Sequence, residues 1–420
     1  MAEERSPSTA VGEFLLRLAA ALNATGATVD EAQRRVERIG HSLGAGDVHV
    51  SAFPTFVMMT MADGGPTTLR VTPTGADVYR LDQIAAIEEL CIATEHGDVD
   101  VDEALTQLTA IESFPPRFGQ LPRVLGYVVL SAGLCLVLRP ARQEVLTAAA
   151  LGLVVGLLQP LVENRRPLRM LLPVLAAFVV ATISGIAKRA DLVDTGIRPI
   201  VAALIIFLPG ATLTASVLEL RSGQIVSGAS RLVSGLLTLA MLAFGILAGS
   251  EVAGLSASDA LAASTPLLGA WAPWLGVATF ALGVAVTNSA PRGSWPGLIL
   301  VLFSAWAVQV AGNALWGVYL GALLGAVALV LTSSAVAHTS RSVPRQASFL
   351  PGFWLLVPGA LGLIGLTRWV TAGPTAPGAD LRVTAGSIFA VAVGVLIGSQ
   401  LWDWITSGRG LVSSWRRRSA

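Results

Sequence analysis

Residues 199–222 have the sequence PIVAALIIFLPGATLTASVLELRS. Their apolar part, residues 200–218, is long enough to cross the roughly 30 Å hydrocarbon core of a bilayer as a helix. Pro209 and Gly210 lie at its middle, where a proline removes a backbone donor and crowds the preceding turn. Backbone groups freed inside a membrane are tolerated only where they are buried in protein or line a wet cavity. This stretch therefore predicts a broken membrane helix.

A second apolar span with the same kind of break lies near the end of the chain. Residues 349–367 carry Pro358 and Gly359 at their centre. Interrupted helices at corresponding places in two halves of a chain indicate a transporter whose substrate site lies between them. We therefore expect the two breaks to meet.

Composition divides the 420-residue chain into a polar beginning and an apolar remainder. The chain is 53% hydrophobic and 13% charged, which is too apolar for an ordinary soluble enzyme. Residues 1–116 hold 18 of the 27 acidic residues but only 7 of the 28 basic ones. The chain begins with an acidic, polar segment, so no secretory signal is expected. It has no basic tract with interleaved aromatic residues, so nucleic acid is not an expected partner.

The polar part, residues 11–118, predicts a small α+β domain. A first helix is followed by Thr28 and Glu31, which have the capping-box pattern that opens a second helix. Three strands are predicted within residues 47–72, with the Asp-Gly-Gly sequence of residues 63–65 at a hairpin turn. Two further helices complete the order.

The polar domain carries no recognisable catalytic or metal motif. His41, His49 and His96 belong to neither a nucleophile elbow nor a metal-binding pattern. Cys91 and Cys135 lie in such different surroundings that they predict two free thiols. We therefore expect no enzymatic activity, no metal and no cofactor.

Ten apolar spans follow the polar domain. They are residues 123–138, 145–161, 168–187, 199–218, 230–250, 270–288, 295–311, 314–336, 349–370 and 383–403. The joints on the side of the polar domain hold 14 basic residues, and those on the other side hold 7. The positive-inside rule therefore places the polar domain and both termini in the cytoplasm.

The two sets of five spans resemble each other. Residues 209–211 and 358–360 both read Pro-Gly-Ala, at an offset of 149, and Gln159 matches Gln309 at an offset of 150. Because five is odd, the second set must enter the membrane in the opposite orientation. The pattern predicts an inverted repeat.

The predicted fold is thus an α-helical membrane protein with ten transmembrane helices in two inverted five-helix repeats, preceded by a small cytoplasmic α+β domain. The expected division is a flexible tail (1–10), the cytoplasmic domain (11–118), a first repeat (119–250), a second repeat (266–408) and a basic cytoplasmic tail (409–420).

Three motifs around the first break carry a family resemblance. They are Leu-Pro-Gly at residues 208–210, Glu-Leu-Arg-Ser-Gly at 219–223 and Ser-Gly-Ala-Ser-Arg at 227–231. With the polar domain and the five-plus-five layout, they make the chain resemble the bacterial threonine/serine exporters. The resemblance implies efflux of small hydroxy amino acids across the inner membrane, driven by an ion gradient. A related branch resembles a dicarboxylate exporter made of two chains, so the substrate stays open.

The two breaks are the first candidate site. Unwound backbone at Pro209-Gly210 and Pro358-Gly359 would present half-helix N-termini to a substrate carboxylate. The alternative is a pair of kinks satisfied by neighbouring helices, since proline and glycine are common in membrane helices.

Four polar residues beyond the first break complete the candidate substrate site. Thr212 and Thr214 could bind an amino acid, or could bond back to their own helix. Glu219 and Arg231 flank the joint between the fourth and fifth spans. Ionised groups inside a membrane are usually functional, although both residues could instead lie at its surface.

The sequence thus predicts a secondary-active exporter of threonine, serine or similar metabolites in the bacterial inner membrane. Its expected partners are the small-molecule substrate, the lipid bilayer and a coupling ion, for which we expect H⁺, with homo-oligomerisation left open. The alternatives are a dicarboxylate exporter and a membrane-anchored sensor or hydrolase that acts through the polar domain.

Overall fold

A computed structural model describes most of the chain. The described residues are 7–53, 55–62, 68–73, 79–163, 166–193, 196–255, 268–339, 345–356, 358–372 and 379–418. We call the described part of residues 7–118 the N-terminal unit, and the described part of residues 120–418 the membrane part.

The N-terminal unit contains two helices, three strands and two more helices, which is the order that the sequence predicts. The elements are α1 (Pro7–Ala24), α2 (Val29–Ser42), β1 (Asp47–Ala52), β2 (Phe56–Ala62), β3 (Thr68–Pro73), α3 (Leu81–His96) and α4 (Val101–Glu112). Helix α1 already begins at Pro7, so residues 7–10 are not part of a flexible tail as predicted. The predicted hairpin turn at residues 63–65 lies outside the described residues.

Local sequence explains the starts of two of these helices. The Thr28 hydroxyl oxygen accepts a hydrogen bond from the Glu31 N–H at 3.4 Å. The Asp100 carboxylate accepts one from the Glu103 N–H at 2.8 Å. These bonds satisfy backbone donors that the first turn of a helix leaves without partners.

The three strands form an antiparallel sheet in the order β1-β2-β3. Alternate residues of the first two strands are buried, as expected for a sheet with one face against a core. Phe14, Ile39, Met59 and Leu108 are fully buried within this core. The N-terminal unit therefore has a hydrophobic interior of its own.

The membrane part is entirely helical where it is described. Its helices are α5 (Gln120–Val137), α6 (Arg142–Glu163), α7 (Arg166–Arg189), α8 (Ile197–Ala203), α9 (Gly210–Arg221), α10 (Ile225–Val252), α11 (Ala272–Thr287), α12 (Trp295–Trp316), α13 (Val318–Thr339), α14 (Arg345–Leu355), α15 (Pro358–Ala372) and α16 (Ala379–Arg418). The backbone of α16 stays helical to Arg418, past the predicted boundary at residue 408.

Eight stretches of the described residues are helical, long and apolar enough to cross a membrane. The bent pair α8 and α9 counts as a ninth if it forms one span, and α11 is a shorter apolar helix of 16 residues. Large apolar side chains such as Met170 and Phe244 are exposed on the outside, where a bilayer would cover them. The chain is therefore an α-helical, multi-pass membrane protein.

Helices α5 and α11 pack against each other through glycines. A Cβ atom placed on Gly133 would lie 2.4 Å from the backbone nitrogen of Phe280, and one on Gly283 would lie 2.4 Å from that of Leu130. Only glycine permits backbones to approach so closely. The two contacts are reciprocal, because adding 150 to 133 and 130 gives 283 and 280.

A second reciprocal pair of contacts fixes the relative direction of the two helices. Gly126, near the start of α5, meets Val286 near the end of α11. Gly276, near the start of α11, meets Leu136 near the end of α5. Helices α5 and α11 are therefore antiparallel.

Candidate functional site

The first break is longer than the sequence suggests. Regular helix ends at Ala203, a 3₁₀ turn follows at Ile205–Phe207, Leu208 is extended, and helix resumes at Gly210. The two helical halves are bent by 68°. Gly210 itself is the first helical residue of the second half.

Tyr127 satisfies a backbone group that this break leaves without a helical partner. Its hydroxyl donates to the Ala203 carbonyl at 2.9 Å, and the side chain is 1% exposed. A buried carbonyl without a partner would cost about 1–3 kcal/mol, so this bond stabilises the break. The sequence analysis missed Tyr127, because no pattern in α5 relates it to a residue 76 positions away.

The second break separates α14 from α15. Helix α14 ends at Leu355 and α15 begins at Pro358. The Gln309 side-chain amide donates to the Leu356 carbonyl at 3.4 Å. This bond joins α12 to the end of α14.

The two breaks meet. A Cβ atom on Gly359 would lie 2.9 Å from the Gly210 backbone nitrogen and 3.2 Å from the Leu208 Cβ. The N-terminal half of each broken span also contacts the C-terminal half of the other, so α14 touches α9 and α15 touches α8. Two antiparallel spans that cross at their breaks produce this pattern.

A small cavity lies where the breaks meet. Its volume is about 20 Å³, which is room for about one water molecule. The lining residues come from both broken spans and are Ile205, Leu208, Gly210, Ala211, Phe353, Trp354, Gly359 and Ala360. An amino acid does not fit in this volume.

The two candidate threonines follow the first break on α9. Thr214 is fully buried, and its hydroxyl donates to the Gly210 carbonyl one turn earlier at 3.1 Å. This is the bond back to its own helix that the sequence left open as the alternative. Thr212 is half-buried on the same turn.

Glu219 and Arg231 lie away from the breaks. Nine residues separate Glu219 from Gly210, or about 14 Å along a helix axis. Its carboxylate is fully buried and pairs with the Arg231 guanidinium at 3.1 Å. The predicted site residues thus form two groups, one at the breaks and one at the end of α9.

The N-terminal unit contributes to this second group. Glu219 also accepts hydrogen bonds from the Ser227 hydroxyl at 2.8 Å and from the Val29 N–H, at the start of α2, at 3.3 Å. Arg231 donates to the Asn23 side-chain oxygen at 3.0 Å. The buried ion pair therefore joins two parts of the chain that are about 190 residues apart.

Other polar contacts extend the same interface. The Gln224 amide donates to Gln33 at 2.9 Å, and the Gln346 amide donates to Glu31 at 3.2 Å. Arg117, in the connection to α5, donates to the Ala290 carbonyl at 2.7 Å. The N-terminal unit therefore covers the ends of several membrane helices, next to the end of the first broken span.

A second buried carboxylate, Glu144, lies at the opposite end of that span. It is fully buried and pairs with Arg198 at 3.3 Å. It also accepts hydrogen bonds from the Ala141 N–H at 2.8 Å and from the Gly196 N–H at 3.3 Å. The sequence analysis missed Glu144, although a carboxylate at the start of an apolar span is itself a signal of function.

The described residues contain no group of three His, Cys, Asp or Glu side chains that could hold a metal ion. Cys91 and Cys135 are both free and buried, as predicted. Burial raises the pKa of the Cys91 thiol to about 12, so this thiol is protonated at neutral pH.

Comparison with known proteins gives one family and two relatives. The model of the family described as "Putative threonine/serine exporter" (ThrE) matches residues 13–253. Two proteins of Schizosaccharomyces pombe, "Uncharacterized protein C16A10.01" and "Uncharacterized protein C7D4.12c", are 24% and 25% identical over 297 residues. The match covers 68% of this chain but only 36% and 39% of theirs, so the chain spans little more than a third of these relatives. No solved structure matches it.

Proposed function

Because the chain belongs to the threonine/serine exporter family, we propose that it is a secondary-active exporter of threonine, serine or similar small polar metabolites. The substrate binds between the two Pro-Gly breaks. The observation that carries this proposal is the contact of Gly359 with Gly210, where two half-helices begin side by side. Each N-terminus has backbone N–H groups without helical partners, which suit a carboxylate.

The two halves of the membrane part form an inverted repeat. The reciprocal contacts of α5 with α11 support it, because they keep one offset and run antiparallel. Contacts within the halves agree. Gly249 packs on Phe178 and Ala181, and Gly398 packs on Val327 and Val330, so all three positions are shifted by 149. A pair of inverted halves can present one site alternately to each side of a membrane.

The membrane part has ten spans. Eight helical stretches, one of which is α14 together with α15, and the bent pair α8 and α9 give nine spans. Helix α11 is the tenth. Helix α11 has 16 residues, which is a length of about 24 Å. It is antiparallel to α5, an apolar helix of 18 residues, and lies beside it. A pair of such helices would cross the bilayer together.

The N-terminal unit lies in the cytoplasm of a bacterial cell, with both termini on that side of the inner membrane. The excess of basic residues in the joints on its side supports this orientation. In this orientation the unit is the cytoplasmic α+β domain and covers the inner end of the first broken span. The proposed coupling ion is H⁺.

The substrate carboxylate binds the N-termini of α9 and α15. Thr212 and Thr214 lie within two turns of the first N-terminus, where hydroxyl groups can contact the polar part of a hydroxy amino acid. The cavity in this structure holds about one water molecule. The bound state therefore requires the half-helices to separate.

Transport by inverted membrane vesicles tests the proposal. Vesicles that contain the protein and have an acidic interior should accumulate labelled threonine. A protonophore should abolish the accumulation. Vesicles without the protein are the control. Accumulation of succinate instead of threonine would favour the dicarboxylate exporter. Accumulation of neither substrate would contradict the proposal.

A further inference from the structure

Two buried ion pairs lie at opposite ends of the first broken span, with the cavity between them. Glu219 and Arg231 pair at the end of α9, and Glu144 and Arg198 pair at the start of α8. We infer that these pairs are the inner and outer gates of the transport path. This inference rests on the proposed export function, because it assigns the residues that control access to the same site.

The two pairs are built alike. Both carboxylates are fully buried. Each binds one arginine and the N–H of a residue at the start of a helix, which is Val29 for Glu219 and Gly196 for Glu144. The N-terminus of α2 favours the Glu219 anion, and Glu144 is held by Arg198 and by two backbone N–H groups.

The inner pair lies where three segments meet. Glu219 comes from α9, Arg231 from α10, and Val29 and Asn23 from the N-terminal unit. Separation of Glu219 from Arg231 would remove the ion pair that joins α9 to α10. It would also disturb the contacts of these two side chains with the N-terminal unit.

The outer pair also joins separate segments. Glu144 lies in the first turn of α6, whereas Gly196 and Arg198 lie at the start of α8. The Ala141 N–H, just before α6, holds the same carboxylate. Separation of Glu144 from Arg198 would remove the ion pair that joins the first half of the broken span to α6.

Burial makes these pairs suited to a switch between two states. A buried ion pair contributes little net stability compared with apolar side chains of similar size, so stability alone does not account for it. An arrangement in which each pair is either fully formed or fully separated gives two discrete states. Both pairs are formed in this structure, at opposite ends of the broken span that lines the cavity. Opening one gate at a time gives alternating access.

A reporter cysteine in the cavity tests the assignment. Ala360 lines the cavity and is 1% exposed, so Ala360→Cys gives a thiol that reacts only when the path opens. A membrane-impermeant maleimide is added to right-side-out or to inverted vesicles. The two native thiols, Cys91 and Cys135, are buried and serve as the background without the reporter.

Opposite effects are expected from the two gates. Glu219→Gln should raise the reaction rate about ten-fold from the cytoplasmic side only, and Glu144→Gln should raise it about ten-fold from the outer side only, because each shifts the population toward one open state. Glu88→Gln is the matched control, since Glu88 pairs with Arg35 inside the N-terminal unit and should change neither rate. Unchanged rates, or increases from the same side for both gates, would overturn the inference.

Milder variants keep the test informative if the first ones do not insert. Ser227→Ala removes one hydrogen bond to Glu219 but leaves the ion pair, and Arg198→Lys keeps the positive charge beside Glu144 but not the guanidinium geometry. Each should raise the maleimide reaction rate from the same side of the membrane as the Glu→Gln variant of its gate, but by a smaller factor. The labelling assay does not use threonine. If the variants change the labelling rates as expected but the protein does not transport threonine, the gate assignment stands and the threonine assignment is wrong. Threonine transport with unaltered access would overturn the gates alone.

Discussion

The N-terminal unit and the membrane part differ in how closely their backbones approach each other. The core of the N-terminal unit is made of large side chains such as Phe14, Ile39 and Met59. In the membrane part, backbones approach each other closely at glycines such as Gly133 and Gly283. Removal of apolar surface from water stabilises the first interior. Lipid tails are as apolar as leucine, so close packing has to stabilise the second.

The difference teaches which substitutions each part tolerates. A smaller side chain should harm the N-terminal unit, because it leaves a cavity. A larger one should harm the membrane part, because its helices have no space between them. The predictions below test this contrast in both directions.

The largest loss of stability is expected from Phe14→Ala. Phe14 is fully buried, so its truncation should destabilise the N-terminal unit by about 3–5 kcal/mol. Hydrogen exchange of the full-length protein should show faster exchange in α1, α2 and the sheet, with the membrane helices protected as before. Equal loss of protection in α5 and α11 would show that the two parts do not unfold separately.

A smaller loss is expected when a methyl group is added in the membrane part. Gly133→Ala and Gly283→Ala should each destabilise the protein by about 1–3 kcal/mol, because the new Cβ meets a backbone nitrogen. Thermal unfolding in detergent measures the change. Gly119→Ala is the control, since a Cβ there meets no atom within 4 Å.

The reciprocal contacts also predict that Gly133→Ala and Gly283→Ala have similar effects. A large loss from one variant and none from the other would contradict the symmetric packing of α5 and α11.

The smallest effect concerns the pH dependence of stability. The Cys91 thiol has a raised pKa of about 12 in the folded N-terminal unit, against roughly 8.5 in an unfolded chain. Below pH 8.5 both states are protonated, and above it the unfolded state loses its proton first. The stability of the N-terminal unit should therefore fall as pH rises between these values. Cys91→Ser should reduce the slope of stability against pH. An unchanged slope would contradict the raised pKa of Cys91.

The sequence predicted those features that depend on local pattern. Helical periodicity and capping residues gave the order of elements in the N-terminal unit, and the capping role of Thr28 is confirmed. The breaks were expected because proline and glycine interrupt helices wherever they occur. Their contact was expected from the matching positions of Pro209 and Pro358 in the two halves.

The sequence did not predict features that depend on distant contacts. The bond of Tyr127 to Ala203, the pair of Glu144 with Arg198 and the contact of Glu219 with Val29 each join residues from different helices. Periodicity reports which face of a helix is apolar, but it does not report which helix packs on it.

Threonine-dependent thermal stability tests the central claim, that the substrate binds where the two breaks meet. Gly359→Ala places a methyl group 2.9 Å from the Gly210 nitrogen, and Gly119→Ala places one in open space. A ligand at 100 times its Kd stabilises a protein by about 2.7 kcal/mol. Threonine should therefore raise the unfolding temperature of the wild type and of Gly119→Ala, but not that of Gly359→Ala. An equal rise for Gly359→Ala would show that threonine binds elsewhere.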